Sequence, residues 1–264
     1  MPIDNEMYFR SDFFWWDEDD NSLSALLRHS INPLRFAYFQ RVIAARASAS
    51  ADRSVLDVGC GGGFLTEEFA KAGYRVTGLD PSPHLLTTAR AHAKLSTLSI
   101  QYVTGYGEKL PFPEDSFDYV TCCDVLEHVD ALGPVIAQIA RVLKPGGLFL
   151  FDTINRTWLS WLFVIKVAQD WKLTAWEAPR THAWSKFVKP RELAVLLAAH
   201  GLGAPELRGI GPGCNPLAAV GHARRRAKGL ITRRELARRL ALRECDDADA
   251  SYMGFAIKPA KVAP

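Results

Sequence analysis

Four glycines within five positions constrain this chain more than any other feature. Residues 55–58 form a short apolar run broken only by Asp57, positions 59–63 carry the glycines, and Phe64 opens an apolar helix-like stretch. Glycine adopts positive φ angles and lacks the Cβ that would hold a ligand away from the backbone. The run therefore predicts a strand, a tight turn and a helix start. We expect four of its residues to form part of a cofactor pocket: Asp57, Gly59, Gly61 and Gly63.

The spacing of the glycines separates two classes of cofactor. A dinucleotide-binding Gly-x-Gly-x-x-Gly turn would need its third glycine at the position of Phe64. The pattern is instead Asp-x-Gly-x-Gly-x-Gly, which resembles the S-adenosylmethionine loop of class I methyltransferases. A nicotinamide-dependent oxidoreductase is thereby disfavoured, and an absorbance change with NADH would revive it.

Asp80 ends a second apolar-rich run, 23 positions after Asp57. In a nucleotide-binding βαβ unit, an acid at the end of the second strand accepts hydrogen bonds from the ribose hydroxyls. The alternative is an aspartate that only caps the following helix. Because the glycine turn lies beside it in the predicted sheet, we favour the ribose role.

Strand and helix patterns alternate from residue 53 to residue 152, which indicates a parallel sheet with helices on both faces. We expect a Rossmann-like α/β fold with a mostly parallel seven-stranded sheet, in which Tyr252–Ile257 is an antiparallel edge strand. Residues 1–50 would form an N-terminal helical cap. Residues 51–264 would form a methyltransferase domain with insertions at about 156–185 and 222–246.

Composition excludes several classes of protein. A net charge of +3 is too small to indicate a nucleic-acid partner by itself. The five cysteines show no metal-ligand spacing, and their odd number argues against a closed disulfide framework. The start of the chain lacks the pattern of a signal peptide, and no apolar run is long enough to span a membrane. We expect a cytoplasmic protein.

The two insertions differ in character. Trp158–Leu173 is rich in aromatic and aliphatic residues and could lie in a membrane interface. Arg224–Arg243 carries nine basic residues and one acid, and we favour a solvated face for it. Thr232 with Glu235 three positions later is typical of a capping box, which predicts a helix over Thr232–Arg243.

The segment Cys122–Val129 follows a predicted strand at the ligand edge of the sheet. Asp124, Glu127 and His128 could hold a divalent cation such as Mg²⁺. His128 could instead act as a general base, since the usual pKa of a histidine side chain lies near neutral pH. From the residues alone, a structural role in the next turn is slightly favoured.

An ordered set of motifs resembles the ubiquinone-biosynthesis O-methyltransferase family. The set comprises Trp15-Trp16-Asp17, Asn32–Arg35, the glycine turn, Val120–Val129, Asn155-Arg156, Lys186–Leu193, Asn215-Pro216 and Ser251–Met253. The family uses S-adenosylmethionine to methylate a catechol-type hydroxyl on a polyprenylated ring. The resemblance therefore implies an aromatic acceptor that bears an isoprenoid chain, and peripheral membrane contact through residues 158–173.

The resemblance also implies roles for individual residues. Arg35, Gly59 and Asp80 would bind the cofactor, and Cys123 stands where the family places a methionine against the adenine. In members described as metal-dependent, the metal ligands fall at Asp124, Glu127 and His128. Apart from the resemblance, we hypothesise that His128 is the catalytic base or a metal ligand, with Glu127 beside it. Asp124 stands where the family has a glutamate, so the side chain that would reach the metal is shorter by one methylene.

Two further alternatives stay open. A small-molecule O-, N- or C-methyltransferase of secondary metabolism would have the same fold and cofactor residues. A non-catalytic protein of the membrane surface would bind lipid and no cofactor. Trp171, Trp176, Trp184, His182 and His200 are interpreted as structural residues.

Overall fold

The computed structural model describes Trp16, residues 24–46 and residues 53–260. One eight-stranded sheet forms its centre, with the order β3-β2-β1-β4-β5-β8-β6-β7. The strands are β1 (Ser54–Val58), β2 (Arg75–Asp80), β3 (Gln101–Thr104), β4 (Phe117–Cys123), β5 (Leu143–Ile154), β6 (Glu206–Gly211), β7 (Arg243–Cys245) and β8 (Ser251–Ile257). The first five strands are parallel, and β8 runs antiparallel to both β5 and β6.

Helices follow most strands, as an alternating α/β pattern requires. They are α1 (Asn32–Arg46), α2 (Phe64–Lys71), α3 (Pro83–Leu95), α4 (Leu132–Val142), α5 (Trp158–Ser160), α6 (Pro190–Ala199), α7 (Pro216–Ala227) and α8 (Arg233–Leu240). A π-helical segment, Trp161–Asp170, continues α5, and a π-helical turn, Leu27–Ile31, precedes α1.

Two buried clusters pack on opposite faces of the sheet. One contains Ile136 and Ile139 of α4 with Leu193 and Leu197 of α6. The other contains Phe39 of α1 and further apolar residues of α1 and α2. The expected Rossmann-like α/β class, with helices on both faces, is therefore confirmed.

Three details of the predicted fold are wrong. The sheet has eight strands, and Ser251–Ile257 lies inside it, because both edges of this buried apolar strand are paired. The antiparallel edge strand is β7, which the sequence pattern did not indicate. The basic helix begins after its Thr232 cap as predicted, but it ends at Leu240, where Ala241 adopts a left-handed conformation.

Parallel register brings the functional segments together. Val58 of β1 lies beside Leu79 of β2 on one side and beside Cys122 of β4 on the other. The loops that leave these three strands therefore meet at one edge of the sheet, which is where open α/β sheets bind ligands. Of the predicted N-terminal cap, residues 1–15, 17–23 and 47–50 lie outside the described residues.

Candidate active site

One cavity of about 670 Å³ opens at this carboxyl edge. Its volume falls within the roughly 300–1,000 Å³ that is usual for ligand sites. Most of the predicted site residues line it: Arg35, Asp57, Gly59, Gly61, Asp80, Cys123, Asp124 and His128. Gly63 instead serves as the N-cap of α2, and Glu127 is buried outside the lining.

The glycine turn needs its glycines for two separate reasons. Gly59, Gly61 and Gly63 all have positive φ angles, of 73°, 52° and 89°. A Cβ at Gly59 would in addition stand 2.2 Å from Val125 Cγ2. The amide of Gly59 donates to the carbonyl of Leu79 over 2.7 Å, which ties the turn to β2. Gly59 and Gly61 of this turn line the cavity.

Asp57 holds the start of the turn in place. Its two carboxylate oxygens accept hydrogen bonds from Thr66 Oγ1 at 2.6 Å and from Thr121 Oγ1 at 2.7 Å. These bonds join the end of β1 to α2 on one side and to β4 on the other. Burial raises the pKa of Asp57, and the two hydroxyl donors oppose that effect.

Asp80 is oriented by backbone amides. Its Oδ2 accepts from the Gly61 amide and its Oδ1 from the Ser82 amide, both at 2.8 Å. The cap of α3 is Ser82, whose hydroxyl accepts from the Leu85 amide, so Asp80 is not the helix cap. A carboxylate has about four acceptor positions, of which two are used here. Burial raises the pKa of Asp80 to about 6, although both amide bonds lower it.

A buried cation lies between two acids at the centre of the cavity. Arg35 is 4% exposed, hydrogen-bonds Asp124 and lies 2.8 Å from Asp152 as an ion pair. Burial alone would lower the pKa of Arg35, but the two carboxylates raise it and keep the guanidinium charged. The backbone of Asp124 is left-handed, with φ of 52°, a region that aspartate enters more easily than most residues.

A cluster of three polar side chains lies near this ion pair. Glu127, His128 and His182 each offer a metal-ligating atom, and these atoms lie within 4.8 Å of one another. Glu127 is 1% exposed and accepts from Thr153 Oγ1 at 2.8 Å. Burial raises the pKa of Glu127 and lowers the pKa values of His128 and His182, to about 4 and about 3. Both imidazoles are therefore neutral at pH 7.

His182, which the sequence pattern indicates as a structural residue, lies beside His128 in the folded chain. Its ring centroid lies 5.4 Å from that of His128, although 54 positions separate the two in the chain. No spacing rule connects residues so far apart. Of the predicted trio, Glu127 and His128 lie together with His182, whereas one carboxylate oxygen of Asp124 hydrogen-bonds Arg35.

The aromatic insertion forms an apolar wall of the cavity. The wall comprises Leu159, Phe163, Val164, Val167 and Ala168. Trp158 and Trp161 of the same segment are exposed on its outside, by 71% and 42%. Trp176 lines the cavity, and its carbonyl accepts from Arg233 of α8 over 2.8 Å. No helix within the described ranges is long and apolar enough to cross a membrane.

Trp16 is the described member of the predicted Trp15-Trp16-Asp17 motif. Its indole nitrogen donates to the carbonyl of Gly62 over 2.6 Å, and its ring stacks on His92 at 3.4 Å. The motif therefore reaches the glycine turn, while Trp15 and Asp17 lie outside the described residues.

Comparison with known proteins agrees with this geometry. A methyltransferase domain profile matches residues 56–151, which span the glycine turn and Asp80. The S-adenosylmethionine-dependent methyltransferase structure of Methanosarcina mazei has a TM-score of 0.58 at 18% identity, over 83% of this chain and 98% of that one. At 18% identity, this structural similarity establishes the fold alone.

Relatives at higher identity establish the family. The ubiquinone biosynthesis O-methyltransferase of Hahella chejuensis is 39% identical over 94% of this chain and 91% of its own length. The protein of the same name from Methylococcus capsulatus is 39% identical over 79% of this chain and 83% of its own. The chain is therefore an S-adenosylmethionine-dependent methyltransferase and belongs to the ubiquinone biosynthesis O-methyltransferase family.

Proposed function

We propose that this enzyme methylates a phenolic or catechol hydroxyl on a quinone precursor that carries an isoprenoid chain. One observation carries the proposal: a single continuous cavity contains the glycine turn with Asp80, the imidazole of His128 and an apolar wall from the insertion. An acceptor with a polar ring and an apolar tail matches these surroundings. The names of the relatives, which place them in ubiquinone biosynthesis, support the same class of acceptor.

The cofactor half of the cavity fits S-adenosylmethionine. When bound, this cofactor supplies a methyl group on a positively charged sulfur. Asp80 has unused acceptor positions for the ribose hydroxyls. Gly59 and Gly61 of the turn line the cavity with backbone atoms alone. Cofactor-binding roles are proposed for the lining residues Arg35, Asp57, Gly59, Gly61, Asp80 and Cys123, and a supporting role for Gly63, which ends the turn at the N-cap of α2.

We assign His128 as the general base. The assignment rests on position, because the imidazole lines the cavity next to the cofactor turn. Burial lowers the pKa of His128 to about 4, which keeps the imidazole neutral at pH 7 and makes it a weaker base than a free imidazole. It accepts the proton of the acceptor hydroxyl while that oxygen gains the methyl group. We propose that Glu127 orients this imidazole, since a carboxylate oxygen of Glu127 lies within 4.8 Å of a ring nitrogen of His128 and Thr153 donates to that carboxylate. General bases contribute on the order of 10²–10⁴ in rate.

The residues do not fit Mg²⁺, which the family resemblance implied. Mg²⁺ prefers six oxygen ligands in a near-octahedral arrangement. Here Asp124 pairs with Arg35, and the acids and histidines that lie together offer one carboxylate and two imidazoles. No catalytic step is therefore assigned to Mg²⁺.

We further propose that the insertion at 156–185 guides the tail of the acceptor from a membrane surface. Its inner side is apolar along the cavity, and its outer side exposes Trp158, Trp161 and Leu173. The basic insertion at 222–246 lies next to it through the contact of Arg233 with Trp176. This arrangement would place the enzyme peripherally at the inner, cytoplasmic face of a membrane.

Calorimetric titration with S-adenosylhomocysteine, followed by turnover assays, tests the proposal. We expect micromolar binding and methylation of prenylated catechols, with turnover reduced about 10²–10⁴-fold in His128→Ala. S-adenosylhomocysteine affinity should stay unchanged in that variant. The matched control is His200→Ala, which removes an exposed histidine at the end of α6. Turnover of soluble phenols with none of prenylated ones would favour the secondary-metabolite alternative, and unchanged turnover in His128→Ala would refute the base assignment.

A further inference from the structure

We propose that Trp176 and Glu177, in the insertion at 156–185, form a specificity subsite that binds a second hydroxyl on the ring of the acceptor. The first hydroxyl is the one that His128 deprotonates and that receives the methyl group. The inference rests on the proposed function, because it describes how the acceptor of that reaction is recognised. It deepens that function by limiting the acceptor to rings that carry two hydroxyls.

Both residues of the subsite line the cavity and are held in place by their backbone. The amides of Trp176 and Glu177 each donate to the carbonyl of Ala168 over 2.9 Å, which attaches them to the π-helical segment of the wall. Arg233 of α8 donates to the carbonyl of Trp176 over 2.8 Å. The subsite is therefore fixed between the apolar wall and the basic helix.

The indole nitrogen of Trp176 is buried without a hydrogen-bond partner. This group is near enough to Glu177 to lower the pKa of its carboxyl. No described residue, however, meets the distance and angle of a hydrogen bond with Nε1 of Trp176. Buried polar atoms in native proteins almost always have a partner, and an indole nitrogen can only donate. The N–H of Trp176 therefore indicates a ligand oxygen in the cavity.

Glu177 supplies the complementary hydrogen-bond acceptor. Desolvation in the cavity raises the pKa of Glu177 to about 7, although the guanidinium of Arg233 lowers it. An ionised carboxylate only accepts hydrogen bonds, so a ligand hydroxyl that donates to it would stabilise its charge. The charge of Asp124 raises the pKa values of both Glu177 and His128. The subsite thus lies at the same end of the cavity as the proposed base.

The pair of side chains selects the chemistry of the ligand. A hydroxyl both donates and accepts, so one hydroxyl oxygen can accept from the indole of Trp176 and donate to Glu177. A carbonyl or methoxy oxygen would satisfy Trp176 alone, and a carboxylate would be repelled by the charge of Glu177. The subsite therefore favours a ring with a free hydroxyl beside the one that is methylated, as in a catechol.

The test compares two ligands by calorimetry at pH 8 on protein saturated with S-adenosylhomocysteine. One ligand is a catechol with a single isoprenoid unit, and the other is the corresponding phenol, which lacks the second hydroxyl. We expect the catechol to bind about 10–100-fold more tightly, which is the usual effect of a hydrogen bond to a charged group. The same preference should appear in kcat/KM when both rings are offered as methyl acceptors.

Variants separate recognition of the second hydroxyl from a structural role, which would weaken both ligands equally. Glu177→Leu should reduce the preference for the catechol about 10–100-fold, and Trp176→Phe, which keeps an aromatic ring, about 2–10-fold. Glu177→Gln should keep part of the preference, because its amide oxygen still accepts.

The matched control is Glu114→Gln, which changes an exposed glutamate outside the cavity lining and should keep the full preference. The affinity for S-adenosylhomocysteine reports that each variant is folded.

Three results would overturn the subsite: no binding of the catechol, equal affinity of the parent protein for both ligands, or an undiminished preference in both Glu177→Leu and Trp176→Phe. Failure of the proposed function gives a different result. A preference that depends on Glu177, without methylation of any prenylated catechol, would refute the reaction and leave the subsite standing. Methylation of the catechol and the phenol with equal kcat/KM would refute the subsite and leave the reaction standing.

Discussion

At the scale of single residues, the site depends on backbone positions that accept only glycine and on a few buried charges. Gly59 has a positive φ, which is costly for any residue that carries a Cβ. The neighbouring Val125 side chain also leaves no space for a Cβ at this position. Asp80 is held by two amides in a buried place where its charge is costly. Both residues therefore occupy locally unfavourable positions that contribute to the polar surface of the proposed cofactor site.

We predict that Gly59→Ala lowers the free energy of unfolding through two contributions. The left-handed backbone costs about 1–2 kcal/mol for a residue with a Cβ, and overpacking against Val125 costs about 1–3 kcal/mol. Urea denaturation measures the sum. Gly73→Ala is the matched control, because Gly73 has φ of 88° and nothing within 4 Å of the added Cβ. Equal losses in the two variants would contradict the steric part.

We predict that cofactor affinity depends on pH through Asp80. The carboxylate accepts hydrogen bonds from ribose hydroxyls, and protonation below its raised pKa of about 6 removes acceptor capacity. The S-adenosylhomocysteine affinity should therefore be constant above pH 7 and fall by up to tenfold per pH unit well below 6. Calorimetry at several pH values measures this. Asp80→Asn should bind more weakly without a bend near pH 6; a bend that persists in this variant would assign the effect to another acid.

At the scale of secondary-structure elements, the segment from 158 to 170 has two functional sides. The π-helical hydrogen bonding extends to the Trp171 amide, which donates to the carbonyl of Lys166 over 2.8 Å. Leu159, Phe163 and Val167 face the cavity, whereas Trp158 lies on the outside. π-Helical segments are rare and frequently occur at functional sites.

We predict that the outer side binds membranes. The double variant Trp158→Ala/Trp161→Ala should bind anionic phospholipid vesicles at least about tenfold more weakly, because burying 100 Å² of apolar surface is worth about 2.5 kcal/mol. Vesicle co-sedimentation measures the binding. Leu95→Ala removes a residue that is 83% exposed at the end of α3 and should bind vesicles normally. Undiminished binding by the double variant would exclude these tryptophans as the contact.

At the scale of the whole molecule, the cavity exists only because four separate parts of the chain meet. The sheet edge supplies the glycine turn and Asp80, α1 supplies Arg35, the first insertion supplies the wall, and the basic insertion closes it with Leu240. A ligand in this cavity therefore contacts most of the fold, so its binding should stabilise the whole chain.

We predict that S-adenosylhomocysteine raises the melting temperature. A ligand at 100 times its dissociation constant adds about 2.7 kcal/mol of stability. For a chain of this size, 1 kcal/mol corresponds to about 2–4 °C, so the expected shift is about 5–11 °C. Differential scanning fluorimetry measures it, with NAD⁺ as the control that should give no shift. A shift with NAD⁺ instead would restore the oxidoreductase alternative.

The features that local geometry controls were predictable from neighbouring residues in the chain. Positive φ angles, apolar runs and the acid at the end of β2 depend on near neighbours, so residues 55–64 and Asp80 could be placed in advance. The Rossmann-like class and the cofactor followed from them, because parallel strands share one ligand edge.

The contacts between polar side chains of the site depend on long-range packing. Arg35 engages Asp124 across 89 positions, and His182 reaches His128 across 54. Ser251–Ile257 likewise took an interior place in the sheet, because β6 paired with its second edge. Such pairings depend on how helices, insertions and strands pack, and the energy that decides them is distributed over contacts that no local pattern in the sequence contains.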